Sequence, residues 1–327
     1  MDEKYQQSGV KTEAVFKDSL TNSIENHCGE GSISIINMRT RRWISESIQE
    51  DLAKLVVKPM SGGASAAIYQ VGNFVLKSYV DTEWLAEEPD LVKHEARSLR
   101  YAKKGGLRVP TVIAYDEHGE KSGKPLILMD KLEGSPVLAP NDSVHFVEGL
   151  AQTLAAIHKQ DATDFEWVYS SYTDMSTAII PKWATNSTTW QRAIELANGP
   201  TPNQSVCFIH RDYHPTNILW QDGQVSGIVD WVNACRGPAG IDVGHCRVNL
   251  ALLHGVEMAD AFLVAYCREA VEFNYDTYFD IISVLDFIDG PLTVYKGWTD
   301  LGVTGLTDQL MEERMDAFME SVVGRIK

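Results

Sequence analysis

One stretch limits this chain more than any other: Phe208-Ile-His-Arg-Asp-Tyr-His-Pro-Thr-Asn-Ile-Leu, followed by Ile228-Val-Asp230-Trp231. An apolar approach delivers His210, Arg211 and Asp212. Asn217 comes five residues after Asp212, and Asp230 ends a second apolar run. Phosphoryl transfer from a nucleotide needs three oxygen-bearing groups of this kind. One carboxylate aligns the attacking hydroxyl, while an amide oxygen and a second carboxylate hold magnesium against the phosphates. A bare His-x-Asp says little; the full constellation in this order is a specific signal.

The chain before that stretch supplies the other half of such a site. Residues 1–42 carry mixed charge and little periodicity, and read as an N-terminal extension with one loosely packed helix around Ala14–Glu25. Ile44, Ile48, Leu52 and Leu55 predict a short amphipathic helix. The period then changes, and Leu55–Met60, Ala66–Val71 and Phe74–Val80 read as strands joined by Ser61-Gly62-Gly63-Ala-Ser and by a Gly72-Asn73 hairpin turn. A helix is predicted over Leu91–Lys104, stopped by Gly105-Gly106, and two further strands over Val109–Tyr115 and Pro125–Met129.

Beyond a connector at Glu133-Gly-Ser-Pro the pattern turns helical, first from Val144 to Ile157 behind an Asp142 or Ser143 cap. After Asp230, helices are predicted near Val243–Leu253, Met258–Ala270, Tyr278–Ile288 and Thr307–Val323. Trp167, Trp183 and Trp190 fall in an insertion between Asp161 and Pro202 that is expected to cover a substrate. The order of elements predicts an α+β, protein-kinase-like fold of two lobes. Residues 43–132 form a nucleotide-binding lobe, a five-stranded antiparallel sheet with one main helix, and residues 133–327 a mostly helical catalytic lobe.

Lys77, in Phe-Val-Leu-Lys on a strand, is placed to meet the α- and β-phosphates, with Glu95 on the following helix to hold it. Alone, a strand lysine is more often a surface residue, and Glu87 or Glu88 compete with Glu95 for the pairing. The order of elements favours Lys77 and, less strongly, Glu95. The turn Ser61-Gly62-Gly63 departs from G-x-G-x-x-G but still lets backbone N–H groups approach phosphate oxygens. His210, His214 and His158 have simpler readings as loop anchor, turn former and packed core residue. Asp242 reads first as a helix N-cap and second as a brace for the loop.

These motifs resemble the aminoglycoside phosphotransferase and choline kinase group, small-molecule kinases built on the protein-kinase fold. The resemblance runs from about Leu55 to Leu253. It rests on Ser61-Gly-Gly, Lys77, Glu95, Leu128-Met-Asp-Lys-Leu-Glu-Gly, Leu154-Ala-Ala-Ile-His-Lys, the His210–Leu219 loop, Ile228-Val-Asp-Trp and Gly240-Ile-Asp-Val-Gly. It implies Asp212 as catalytic base or hydroxyl orienter, Asn217 and Asp230 as magnesium ligands, and Lys77 on the phosphates of ATP or GTP. It also implies a purine against the backbone of Asp130 and Leu132, beside Met129. Many family members carry glycine where Arg211 stands.

A protein kinase is disfavoured on physical grounds. Trp231 and Val232 follow Asp230 in place of Phe-Gly, and only about ten residues separate it from Ile241-Asp242, too few for a phosphorylated activation segment. The formal charge of −16 argues against nucleic acid. From Trp231 to Lys327 there are 15 Asp and Glu against 7 Lys and Arg, which leans toward a cationic acceptor but is equally explained by solvated helix faces. Asp286, Asp289, Tyr295 and Trp298 could meet such an acceptor, although a capped helix end with packed aromatics explains them as well.

Five cysteines without a C-x-x-C pair, a polar N-terminus and no apolar run of roughly 18–20 residues predict a reduced, cytoplasmic protein that does not cross a membrane. The His245-Cys246 pair with His254 matches no zinc spacing. The acceptor (an antibiotic, or a metabolite such as choline, homoserine, methylthioribose or a sugar), the nucleotide and the oligomeric state are left open. So is a non-catalytic nucleotide-binding protein of the same fold, although the intact set Lys77, Asp212, Asn217 and Asp230 disfavours it.

Overall fold

In the computed structural model, which describes residues 36–60, 66–288 and 290–326, the chain opens with helix α1 (Met38–Ile48), capped by the Asn37 side chain on Thr40 N–H. Helix α1 starts inside the stretch read as an extension. Thr40 Oγ1 donates to Ser122 C=O at 2.9 Å, so this end of the stretch is already packed into the first lobe. The helix expected over Ala14–Glu25 and the turn Ser61-Gly62-Gly63 lie outside the described residues.

Strands β1 (Val57–Met60), β2 (Ala66–Val71) and β3 (Phe74–Tyr79) follow, then a short helix α2 (Thr82–Glu87) that sequence periodicity did not reveal. Helix α3 (Leu91–Lys104) and strands β4 (Val112–Asp116) and β5 (Leu126–Asp130) complete the lobe. The five strands pair antiparallel in the order β1-β2-β3-β5-β4. Strand alternation divides their side chains between two layers. Val71, Leu76, Leu126 and Leu128 pack with Trp43 and Ile44 of α1. Val75, Tyr79, Ile127 and Met129 face the other way, into the core that contains Leu91, Val92, Ala96 and Leu99 of α3. Lys77 shares the face of Val75 and Tyr79, so the period of two aims it at α3. That helix stops where expected: Leu107 N–H bonds Ala102 C=O, Gly106 N–H bonds Lys103 C=O, and Gly106 adopts φ +83°, a left-handed cap that suits glycine.

The second lobe runs through strand β6 (Ser135–Pro136), α4 (Ser143–His158), α5 (Ser187–Ala197), β7 (Val206–Ile209), β8 (Ile218–Gln221), β9 (Gln224–Ile228) and β10 (Cys235–Pro238). It ends with α6 (Ala239–His254), α7 (Val256–Glu269), α8 (Thr277–Phe287), α9 (Lys296–Asp300) and α10 (Asp308–Val323). Two small antiparallel pairings decide where the site lies. Strand β7 pairs with β10, and β8 with β9, so the loop after β7 and the turn after β9 emerge side by side. Helix α6 is buried over nearly its whole length and takes α8 at very close range: a Cβ on Gly244 would meet Phe279 C=O at 2.5 Å.

The insertion between Asp161 and Pro202 is anchored to the body of the protein. Trp190 on α5 is fully buried, and its indole N–H donates to Asp316 Oδ1 of α10 at 2.7 Å. Trp183 packs edge-on against Trp190, and Trp167 stacks on His94 of α3 at 4.1 Å. Among the described residues, no helix is long and apolar enough to cross a membrane, and Cys207, Cys235, Cys246 and Cys267 are free thiols.

Candidate active site

Lys77 is buried between two carboxylates. Its Nζ lies 3.1 Å from Glu95 Oε2 and 2.7 Å from Asp230 Oδ1. Glu95, rather than Glu87 or Glu88, is therefore the partner, and Tyr79 Oη also donates to its carboxylate. Burial pulls the Lys77 ammonium toward neutrality, but Asp230 and Glu95 together outweigh it, so the group stays firmly charged. Burial raises the Glu95 pKa above the usual carboxylate range despite Lys77. Asp230 has φ +63° and a side chain 36 % exposed, so its carboxylate meets Lys77 on one side and the cleft on the other.

Asp212 and Asn217 lie on the loop after β7, which is bonded to the residue preceding Asp230. Asn217 Nδ2 donates to Asp212 C=O at 2.9 Å and to Asp212 Oδ2 at 3.0 Å, while Val229 N–H bonds Asn217 C=O at 3.0 Å. With its amide nitrogen committed to Asp212, Asn217 has its side-chain oxygen left as a donor for a cation. That oxygen and the Asp230 carboxylate form a hard oxygen set of the kind magnesium takes.

Asp212 Oδ1 is held by two imidazoles, His245 Nε2 at 3.1 Å and His214 Nε2 at 3.5 Å. Burial alone would raise the Asp212 pKa; His214 and His245 outweigh it and keep the carboxyl well below its usual range. His245 lies on α6, and sequence reasoning, which weighed it only with Cys246 and His254, did not place it at the site. Asp242 and His245 stand three residues apart on that helix, which puts both on the face toward the loop, and that spacing was the available signal.

Asp242 is the loop's brace. Helix α6 begins at Ala239 with Pro238 at its cap, so Asp242 is not an N-cap but lies in the first turn. Fully buried, its carboxylate accepts His210 N–H at 2.8 Å, Arg211 N–H at 2.6 Å and His158 Nε2–H at 3.1 Å. His158 also bonds Tyr266 Oη at 2.6 Å, so it links the loop to α7 as well as filling the core. His210 donates from Nε2 to Val229 C=O at 3.0 Å, and burial lowers its pKa, as suits an anchor.

Arg211 takes φ +67°, a conformation glycine adopts more readily. Its guanidinium lies 3.6 Å from the Tyr172 ring centroid and 5.0 Å from that of Tyr169, and also donates to Ser170 C=O. The insertion thus reaches the loop through two tyrosines.

Met129 is buried on β5, where Asp130 N–H bonds Thr111 C=O at 3.0 Å and Lys131 N–H bonds Asn73 C=O at 2.8 Å. The expected acceptor residues are divided. The Asp286 charge contributes to the electrostatic surroundings of both Arg211 and Tyr169. Tyr295 is 38 % exposed and its ring stands 6.4 Å from that of His214. Trp298 is buried beneath Tyr295, at 5.8 Å between rings, and supports that tyrosine without offering a face of its own. Asp289 lies outside the described residues.

Residues 56–278 match the family model described as the phosphotransferase enzyme family. No curated protein matches the chain in sequence. Among solved structures, a Ralstonia eutropha JMP134 protein classed with the aminoglycoside phosphotransferases superposes with a TM-score of 0.61 at 13 % identity, covering 88 % of this chain and 98 % of that one. A thermostable mutant of aminoglycoside phosphotransferase APH(4)-Ia, in a ternary complex with AMP-PNP and hygromycin B, gives 0.57 at 14 % identity over 87 % and 99 % of the two chains. Amicoumacin kinase hAmiN, in complex with AMP-PNP, Ca2+ and Ami, gives 0.53 at 14 % identity over 81 % and 88 %. At such identities the likeness is one of fold, the protein-kinase-like fold of these enzymes. The match of the family model over more than half of its length shows that the chain belongs to the phosphotransferase enzyme family.

Proposed function

We propose that this protein is a cytoplasmic, magnesium-dependent kinase that moves the γ-phosphate of ATP or GTP to a hydroxyl of a small molecule. The observation that carries the reading is the pairing of four groups supplied by strand β3, the loop after β7 and the turn after β9. Lys77 of β3 reaches Asp230 after β9 at 2.7 Å, and Asn217 reaches Asp212 within the loop after β7 at 3.0 Å. In this reading Lys77 binds the nucleotide phosphates, Glu95 holds Lys77 in place, and Asp130 and Leu132 meet the purine beside Met129. Asn217 and Asp230 hold magnesium, which when bound neutralises charge on the phosphates.

Asp212 orients the acceptor hydroxyl and receives its proton. A carboxylate kept well below its usual pKa is a weak proton acceptor, so orientation is its larger contribution. That suits a loose transition state, in which positioning and charge stabilisation do most of the work. The turn Ser61-Gly62-Gly63 completes the phosphate cradle.

For the acceptor, Asp286 and Tyr295 favour a molecule carrying a cationic group, as antibiotics of the aminoglycoside type do; a metabolite alcohol is the competing substrate class. A nucleotide-consumption screen with ATP and GTP against aminoglycosides, macrolides, amino alcohols and sugars tests the reading, with phosphorus NMR locating the modified hydroxyl. Failure of every acceptor together with no magnesium-dependent nucleotide binding would sink it.

A further inference from the structure

We propose that Asp212, His214 and His245 form a binding site for a zinc-like divalent transition metal, separate in its ligands and chemistry from the magnesium position. One ligand atom from each of the three residues lies within 4.8 Å of the others. The two imidazole–carboxylate separations, which without a metal are hydrogen-bond contacts, are also compatible with shared ligation. Donor atoms about 2.0–2.1 Å from a tetrahedral zinc stand about 3.3–3.4 Å apart. Here His245 Nε2 is 3.1 Å and His214 Nε2 is 3.5 Å from Asp212 Oδ1.

The three groups are also held ready. Asn217 Nδ2 occupies Asp212 Oδ2, leaving Oδ1 turned to the imidazoles. His214 is buried in the loop, and His245 stands on α6, whose Asp242 grips the same loop through two backbone N–H groups. The site is reachable, because the Asp212 and His245 side chains are 28 % and 16 % exposed. Three protein ligands with solvent access make an open metal site that keeps a position for water.

Ligand chemistry separates the two cation positions. Imidazole nitrogen suits zinc and its neighbours, whereas magnesium takes oxygen. The pair Asn217 and Asp230 is therefore the magnesium position, and the two histidines select a softer ion beside it. If Asp212 orients the acceptor hydroxyl, as proposed above, zinc on Oδ1 takes away the oxygen the acceptor needs. The site then acts as an inhibitory metal switch; this consequence rests on the kinase reading, whereas binding does not.

The test uses the full chain, stripped with a chelator and passed through zinc and then gel filtration, without nucleotide or acceptor. About one zinc per chain is expected. The same protein with cobalt should show the visible bands of a tetrahedral nitrogen and oxygen site, without a strong near-ultraviolet thiolate band. His214→Gln and His245→Gln, checked for folding by circular dichroism and thermal midpoint, should each weaken zinc binding by about 10-fold or more. No zinc retained by the native chain, a thiolate band, or unchanged affinity in both folded variants would overturn the site. If zinc binds as expected but does not inhibit an active enzyme, the inhibitory role is overturned and the metal site stands. If no phosphotransfer is found at all, the kinase reading fails while the binding result is unaffected.

Discussion

Lys77 Nζ lies 2.7 Å from Asp230 Oδ1, an ion pair that joins strand β3 of the first lobe to the turn after β9 in the second. Glu95 completes the arrangement from α3 at 3.1 Å. One cation thus serves two carboxylates of different burial: Glu95 is 1 % exposed, whereas the Asp230 side chain faces the cleft. Nucleotide phosphates can compete for Lys77 on the Asp230 side without uncovering Glu95.

Replacing Lys77 should therefore cost stability as well as phosphate binding. Lys77→Met leaves Glu95 buried without its cation, and breaking a buried pair in this way costs about 3–5 kcal/mol. The urea midpoint should fall accordingly. Asp230→Asn, at a more open position and with Glu95 still pairing Lys77, should lower the midpoint less than Lys77→Met and weaken magnesium-dependent nucleotide binding, measured by titration with a nucleotide analogue. Equal affinity with and without the Asp230 carboxylate would remove it from the metal site.

Asp212→Asn separates chemistry from binding. The amide keeps the shape and the contact with Asn217 but loses the charge proposed to orient the hydroxyl and receive its proton. Turnover should drop by about 10²–10⁴-fold, with nucleotide affinity retained in a thermal-shift titration. A variant with near-native turnover would exclude Asp212 from the reaction.

Asp242→Ala should injure the loop from behind. The His210 and Arg211 N–H groups and His158 all lose their acceptor, and each buried group left unsatisfied costs about 1–3 kcal/mol. Arg211 would no longer be held at φ +67°, so turnover should fall with stability. His158→Phe, which removes one of the three contacts, should lose less of both. Identical losses in the two variants would contradict the brace.

Local chemistry explains which parts of this molecule were legible in the sequence. The Gly72-Asn73 hairpin, the strands read over Phe74–Val80 and Pro125–Met129 and the Gly105-Gly106 stop are short-range signals, and the structure reproduces each. His210, Asp212, Asn217 and Asp230 were readable because the motif is nearly contiguous. Contacts across helices were not. His245 meets Asp212 only because α6 packs behind the loop, and Trp298 looks like an exposed aromatic until α9 folds it under Tyr295. Helix α5 shows the same limit, since Trp190, Ala193 and Ala197 become one buried face only once α10 supplies Asp316.

His94 sets a pH dependence of stability that nucleotide chemistry does not enter. It stands beside Glu95 on α3, donates from Nε2 to Ala234 C=O at 2.6 Å and stacks on Trp167. It therefore ties the helix of Glu95 to the segment after Asp230. Burial, only partly offset by the Ala234 bond, lowers its pKa from 6.5 to about 4. The unfolded chain therefore takes up a proton at a pH where the folded one does not. Stability from this group is complete above pH 6.5 and is lost as pH falls toward 4. Its size is about 3 kcal/mol across that window. Ordinary carboxylates titrate at the acid end of that window too, so the informative quantity is a difference between proteins. His94→Gln keeps a donor for Ala234 and removes the titration. Urea midpoints measured from pH 7.5 to 4.5, followed by tryptophan fluorescence, should fall less steeply for the variant than for the native chain. Parallel slopes would show that His94 is not the buried neutral imidazole that its contacts describe.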